Sequence, residues 1–322
     1  MHVVYGYDHV PRQLRGASIA IGNFDGVHRG HQALLQTAKR SALTTTMQLA
    51  GALIFEPNPR QFFQPERPHF ALTSLPQRLD LLRRHGLDLT IVLNFDASFA
   101  NMTANEFIER VLVAGLGVSH VVVGYDFHFG RGRTGTPDQL REAGDSYGFG
   151  VSIIEQIADQ GEVISSSAIR AELGQGDVEG AAKMLGHWWR VRGRVRSGAR
   201  RGTGLGYPTA NIGLLPGTAL AHGIYAVRVY IGAAVHNGAA YYGTRPTFDD
   251  GAAVLETFLF DFDDDIYGRE IEIEFIGRVR GDRKFNDSDG LIAQMERDVA
   301  QARARLASLT EHDPYAYPGS PA

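Results

Sequence analysis

The chain contains no cysteine, which excludes a disulfide framework, a thiolate metal site and a cysteine nucleophile. Lysine is nearly absent as well: of 32 basic residues only Lys39, Lys183 and Lys284 are lysines. Phosphate contacts would then fall mainly to arginine, whose planar fork favours bidentate binding, although a genomic composition bias produces the same excess. No run approaches the ~18 apolar residues of a membrane span, and the first twenty residues lack an apolar signal core. A protein that stays in the cytoplasm, off the membrane, is expected. A formal net charge of −4 argues against a dedicated nucleic-acid binder. The glycines match neither G-x-G-x-x-G nor G-x-x-x-x-G-K-[ST], so a dinucleotide fingerprint and a P-loop are both missing.

At 322 residues the chain is long for one core, and two domains are expected. In the first half, apolar runs at 18–21, 51–55, 89–93, 120–123 and 151–154 alternate with helical stretches near 31–40, 75–85, 103–116 and 137–147. Val- and Ile-rich strands alternating with helices predict βαβ units and a parallel sheet, with ligands at the carboxyl ends of its strands.

The stretch Gly22-Asn23-Phe24-Asp25-Gly26-Val27-His28-Arg29-Gly30-His31 lies at one such end, between a buried-strand pattern and a helical one. A helix N-terminus offers unpaired N–H groups and partial positive charge, which suit a phosphate. Histidines three residues apart share a helix face, so His28 and His31 can serve one anion. Gly30 leaves the backbone between them open to close approach. Two imidazoles aimed at one phosphate can stabilise the charge that builds on it. The H-x-G-H spelling resembles the signature of the nucleotidylyltransferases, which transfer NMP from an NTP and release pyrophosphate.

Two further loops fall at strand ends. Glu56-Pro57-Asn58-Pro59-Arg60-Gln61-Phe62-Phe63 is stiffened by proline and either presents Phe62 to a flat ring or closes the core with its aromatics. The loop Gly124–Arg133, containing Asp126 and Phe127, mixes glycine, aromatics and arginine and suits either an aromatic ligand or a solvated turn. In Ile164-Ser165-Ser166-Ser167-Ala168-Ile169-Arg170, the serines either cap a helix or join Arg170 in gripping a phosphate chain.

From about Trp188 helical texture gives way to short alternating runs and glycine turns, as at 223–231, 254–260 and 270–275. This pattern predicts an antiparallel barrel, with a helix over 289–307 packed across it. The six arginines of 190–201 read as an exposed strand edge or a phosphate-facing loop. In Gly204-Leu205-Gly206-Tyr207-Pro208-Thr209-Ala210-Asn211, Thr209 and Asn211 share one side of an extended segment and offer neutral oxygens to a magnesium ion. Glu256, within an apolar strand pattern, is either a solvated strand-face residue or a desolvated base. Asp261, Asp263, Asp264 and Asp265 read as a turn before Tyr267-Gly268.

Two motif sets thus meet in order on one chain: GNFDGVHRGH, FEPNPRQFF, GYDFHFGRGRTG and ISSSAIR, then GLGYPTANI, GIYAV, GTRPTF, LETFLFDFDDDIYG and RKF. Together they resemble the prokaryotic bifunctional riboflavin kinase/FAD synthetase family. The resemblance implies an α/β fold, with a Rossmann-like nucleotidylyltransferase domain over 1–186. It implies a β-barrel flavokinase domain with a terminal helix over 187–311, followed by a mobile tail at 312–322. Its substrates would be riboflavin, FMN and ATP with Mg²⁺, and neither nucleic acid nor membrane is implied as a partner.

Carried over residue by residue, Glu256 would be the kinase base, while Gly206, Pro208, Thr209 and Asn211 would hold Mg-ATP, the last two on the metal. His28 and His31 would be catalytic in adenylyl transfer. Gly22, Asn23, Phe24, Asp25, Gly30, Ser166, Ser167 and Arg170 would bind ATP and its phosphates. Pro57, Pro59, Phe62, Asp126 and Phe127 would form the flavin and nucleotide loops. The chain departs from the family pattern at Tyr241, where asparagine is usual, at Ser167 for threonine and at Arg78 for lysine. It also lacks the arginine often found after Gly202. A cytidylyltransferase would use the same histidine turn but leaves the second motif set unexplained. A class I aminoacyl-tRNA synthetase relative would want a basic tRNA-facing surface, and a flavin-binding regulator would not need both sets intact.

Overall fold

The computed structural model describes residues 1–159, 161–196, 209–244, 253–285, 287–309 and 313–317. By internal contacts the chain divides into two units, one of 1–68 with 75–165, the other of 69–74 with 166–322.

In the first unit, β1 (His2–Tyr5), β2 (Ser18–Ile21), β3 (Ala50–Glu56), β4 (Leu89–Asn94), β5 (His120–Gly124) and β6 (Gly150–Ile154) form one sheet in the order β1-β4-β3-β2-β5-β6. Every pairing is parallel. The five expected strands are present; β1 is the sixth. The main helices are α1 (Arg29–Ala42), α2 (Pro59–Phe63), α3 (Leu75–Arg84), α4 (Ala97–Ala100), α5 (Ala104–Glu106), continued by wider π-type turns over Phe107–Leu116, and α6 (Pro137–Tyr147). Their starts follow from local chemistry. Thr103 and Glu106 form a reciprocal capping box, while Asn58 and Thr136 cap helices that open on proline. The apolar strands are sealed by a core of Ile19, Leu53, Ile91, Val111, Val121 and their neighbours, all almost fully buried. Strand order reverses at β2, whose neighbours are β3 and β5, so the loops after β2 and β5 open at the switch point where such sheets bind ligands. A short hairpin, β7 (Ala158–Asp159) with β8 (Glu162–Val163), follows.

The second unit begins with α7 (Ser166–Gln175) and α8 (Val178–Leu185). Its closed antiparallel barrel comprises β9 (Arg190–Arg196), β10 (Thr209–Ile212), β11 (Gly223–Ile231), β12 (Ala234–Thr244), β13 (Ala253–Leu259) and β14 (Glu270–Gly281), ordered β10-β13-β12-β11-β14-β9. Inward residues such as Tyr225, Leu255, Ile273 and Phe275 carry no exposed surface. The expected helix is α9 (Ser288–Ala307); its Ala302 and Leu306 pack with Trp188, Phe260 and Ile276.

Two expectations for this unit need correction. The arginine run does not lie on an exposed edge where it is described: β9 pairs with both β10 and β14, and Arg190 is only 4% exposed. Arg190 bonds Glu274 Oε1 at 2.7 Å and lies over the rings of Tyr230 and Tyr317. Residues 313–317 are likewise docked rather than mobile. Asp313 accepts from Trp188 Nε1 at 2.8 Å and pairs with Arg228, while Tyr317 is buried. Aromatic burial and ion pairing there outweigh the proline and glycine of the tail.

Candidate active sites

The histidine turn is built on a distorted backbone. After β2, Phe24 and Val27 adopt left-handed φ values of 51° and 42° with no exposed surface, a conformation costly for a β-branched residue. Gly26, at φ 80°, completes the turn and delivers His28 to the N-cap of α1. There His28 Nδ1 accepts the His31 backbone N–H at 3.3 Å, which places the proton of a neutral His28 on Nε2. The two imidazoles stack, centroids 3.6 Å apart and 19° from parallel, and Phe24 packs against His31 at 5.1 Å. A Cβ on Gly30 would come within 3.1 Å of the His28 ring, so any side chain there would press on the imidazole.

Burial holds the His31 pKa well below its ordinary value, with the charges of His28 and Arg78 acting in the same direction. The imidazole is therefore neutral near pH 7, and its buried Nδ1 has no hydrogen-bond partner among the described residues. The same holds for Asn23 Oδ1. Unsatisfied buried polar atoms are costly in a finished protein, and two in one turn at a helix N-terminus mark a place for a polar ligand. Asp25 is 5% exposed and forms part of the turn wall.

Beside this turn, reaching Asn23, lies a cleft of about 850 Å³. Its walls are aromatic, with Phe62, Phe95, Phe99 and Phe127, and its rim carries Arg60, Arg67, Arg131 and Arg133. None of these arginines makes an ion pair among the described residues. Phe62 meets Phe95 edge to face at 5.4 Å and remains half-buried, so it lines the cleft rather than closing the core. Pro59 also lines it; Pro57 and Asp126 do not, and Asp126 is exposed. An aromatic slot rimmed by cations suits a flat ring system bearing a phosphate.

Ser166 and Ser167 open α7, in the second unit, and Arg170 Nε donates to the Phe70 carbonyl of that unit.

In the barrel, β10 alternates so that Ala210 and Ile212 face the core and Thr209 and Asn211 face outward. On β13, Leu255, Thr257 and Leu259 face inward and Glu256 outward. Register sets Asn211 directly opposite Glu256, and Glu256 opposite Tyr241 on β12. Thr209, Asn211, Glu256 and Tyr241 therefore occupy one patch of the outer face. A separate hollow of about 320 Å³ runs from Thr209 to Asp263, Asp264 and Asp265, which lie in an irregular segment before Tyr267, as expected. Gly206 and Pro208 lie outside the described residues.

Sequence reasoning overlooked Glu56 and Arg78 as site residues. Arg78 Nη1 donates to the Asn23 carbonyl at 2.9 Å and its Nη2 pairs with Glu56. Only the departure of Arg78 from the usual lysine hinted at a role.

Residues 10–168 match the family model described as FAD synthetase, and residues 185–306 match the one described as riboflavin kinase. A Haemophilus influenzae protein named bifunctional riboflavin kinase/FMN adenylyltransferase is 37% identical over 94% of this chain and 99% of its own. One of the same name from Pseudomonas fluorescens is 38% identical over 97% and 100%. A solved structure from Streptococcus pneumoniae, described as a macrolide-efflux protein, superposes with TM-score 0.80 at 29% identity, covering 97% of this chain and 99% of that one. Among the described residues, no helix of this chain is long and apolar enough to cross a membrane.

Proposed function

The chain belongs to the bifunctional riboflavin kinase/FMN adenylyltransferase family, and on that premise we propose how its two units divide the chemistry. The enzyme phosphorylates riboflavin with ATP to give FMN, then transfers AMP from a second ATP to FMN, giving FAD and pyrophosphate. The observation that carries the division is that the two reaction centres lie in separate units: a stacked histidine pair at a helix N-terminus in one, an Asn211–Glu256 cross-strand pair in the other.

In the barrel, Glu256 accepts the proton of the ribityl 5′-hydroxyl as the hydroxyl oxygen attacks the γ-phosphorus of ATP and the bond to the leaving ADP breaks. Thr209 and Asn211 supply hard oxygen donors, which fit Mg²⁺; the ion would neutralise phosphate charge when bound. Gly206 and Pro208 belong to the same motif and are assigned to ATP with it.

In the first unit, the FMN phosphate oxygen is already anionic, so attack on the α-phosphorus needs no base. The work falls to alignment and charge stabilisation. His28 and His31 face the phosphates, with Gly22, Asn23, Phe24, Asp25 and Gly30 shaping the turn. The aromatic cleft takes the isoalloxazine against Phe62 and Phe127, and its arginine rim meets the FMN phosphate. Ser166, Ser167 and Arg170, which open the second unit, are assigned to ATP by their motif alone. The absence of cysteine fits a cytoplasmic enzyme. Chromatography of products from the purified chain with riboflavin, ATP and Mg²⁺ tests this reading: FMN is expected first and FAD after it, and no conversion of either flavin would refute it.

A further inference from the structure

One buried guanidinium ties together three elements around the histidine turn. Arg78, on α3, has a side chain only 6% exposed. Its Nη1 donates to the carbonyl of Asn23, in the turn after β2, at 2.9 Å. Its Nη2 pairs with Oε2 of Glu56, at the end of β3, whose side chain is 38% exposed. Its Nε has no hydrogen-bond partner among the described residues and joins the unsatisfied Asn23 Oδ1 and His31 Nδ1.

We infer that Arg78, braced by Glu56, is a positioning residue of the adenylyl-transfer site: it fixes the Asn23 end of the histidine turn and sets a permanent positive charge behind His31. The inference rests on the adenylyl-transfer reading of this turn. Three physical points support it. A guanidinium is never neutral in a protein, and burying it is tolerable only with a partner, which Glu56 provides. Its planar fork meets the Asn23 carbonyl and the Glu56 carboxylate with two nitrogens in fixed directions, which an ammonium on a flexible stem cannot reproduce. The charge also opposes protonation of His31. The charged and titratable groups acting on that imidazole are His28 from its own turn and Arg78 from α3, added to the effect of burial. A neutral His31 can offer Nδ1 as a hydrogen-bonding group without first losing a proton.

The test uses the full chain with Arg78→Met, Arg78→Lys and Glu56→Gln. It measures kcat and KM for FAD formation from FMN and ATP, riboflavin phosphorylation as a check of folding, and the His31 titration by NMR. Misplacing the turn should lower kcat for FAD formation by about tenfold to a hundredfold in Arg78→Met, with riboflavin phosphorylation unchanged. Arg78→Lys should recover part of that loss, because charge returns without the fork. The His31 midpoint should rise in Arg78→Met and stay low in Arg78→Lys, a pattern that a purely structural role would not give. Unchanged kcat together with an unmoved midpoint in Arg78→Met would overturn the inference. If Arg78→Met does not fold, native kcat in both Arg78→Lys and Glu56→Gln overturns it, and lowered kcat in both sustains it. Failure of the unmodified chain to make FAD would instead refute the adenylyl-transfer reading, while the His31 midpoints would still report the charge of Arg78.

Discussion

In the first unit the reactive turn is sealed into the end of the sheet: Phe24 and Val27 have no exposed surface, and His28 is only 7% exposed. In the second, Thr209, Asn211 and Glu256 stand on the outside of a closed barrel whose interior is filled by apolar residues. The contrast fits the chemistry proposed for each site. A phosphate nucleophile arrives charged, so its site needs rigid, desolvated donors. A ribityl hydroxyl arrives neutral, so its site needs a carboxylate to take the proton, and Glu256 stands on a half-buried strand face. On the proposed assignment, preorganisation carries one reaction and proton transfer the other.

Variants that remove one device and spare the other sharpen this contrast. The largest effect is expected from Glu256→Gln, which should lower riboflavin phosphorylation by about 10²–10⁴-fold and leave FAD formation from supplied FMN intact; steady-state assays of both reactions check it. Next comes His31→Ala, expected to reduce FAD formation by roughly 10²–10³-fold while FMN still accumulates. A third variant addresses stability rather than chemistry. Glu274 is fully buried and bonded to Arg190 and Tyr230, so Glu274→Ala leaves Arg190 without its closest carboxylate. It should destabilise the barrel by about 3–5 kcal/mol, read by denaturant unfolding. The smallest effect concerns pH. Folded His31 binds its proton only well below the ordinary value of 6.5, so below that value the unfolded chain binds more protons than the folded one. Stability should then rise with pH through this window, and His31→Gln should flatten that slope in unfolding curves taken at several pH values.

The sequence disclosed what local chemistry encodes. The strand, glycine turn and helix around His28 and His31 were legible because apolar burial, turn residues and helix composition agree within about twenty residues. Alternation on β10 likewise put Thr209 and Asn211 on one side of the strand, whereas Glu256 stayed open between a solvated strand face and a buried base until the register set it opposite Asn211. β1 escaped notice because His2–Tyr5 is short and mostly exposed, so it carries no burial pattern. Arg78 and Glu56 are 22 residues apart, and no periodicity links a helix residue to a strand end at that spacing. Arg190 was misjudged for a related reason: a run of charges looks solvated until the carboxylates of β14 are seen opposite it. Tyr317 was hidden because a tail rich in proline and glycine gives no sign of the cation it stacks on.

Central to this account is the independence of the two sites, and mixing the two site variants tests it most directly. Purified His31→Ala and Glu256→Gln chains are combined with riboflavin, ATP and Mg²⁺, and FAD is followed over time. His31→Ala alone should stop at FMN, Glu256→Gln alone should leave riboflavin largely unconverted, and the mixture should make FAD. A mixture that yields none, or a folded single variant that has lost both activities, would contradict it.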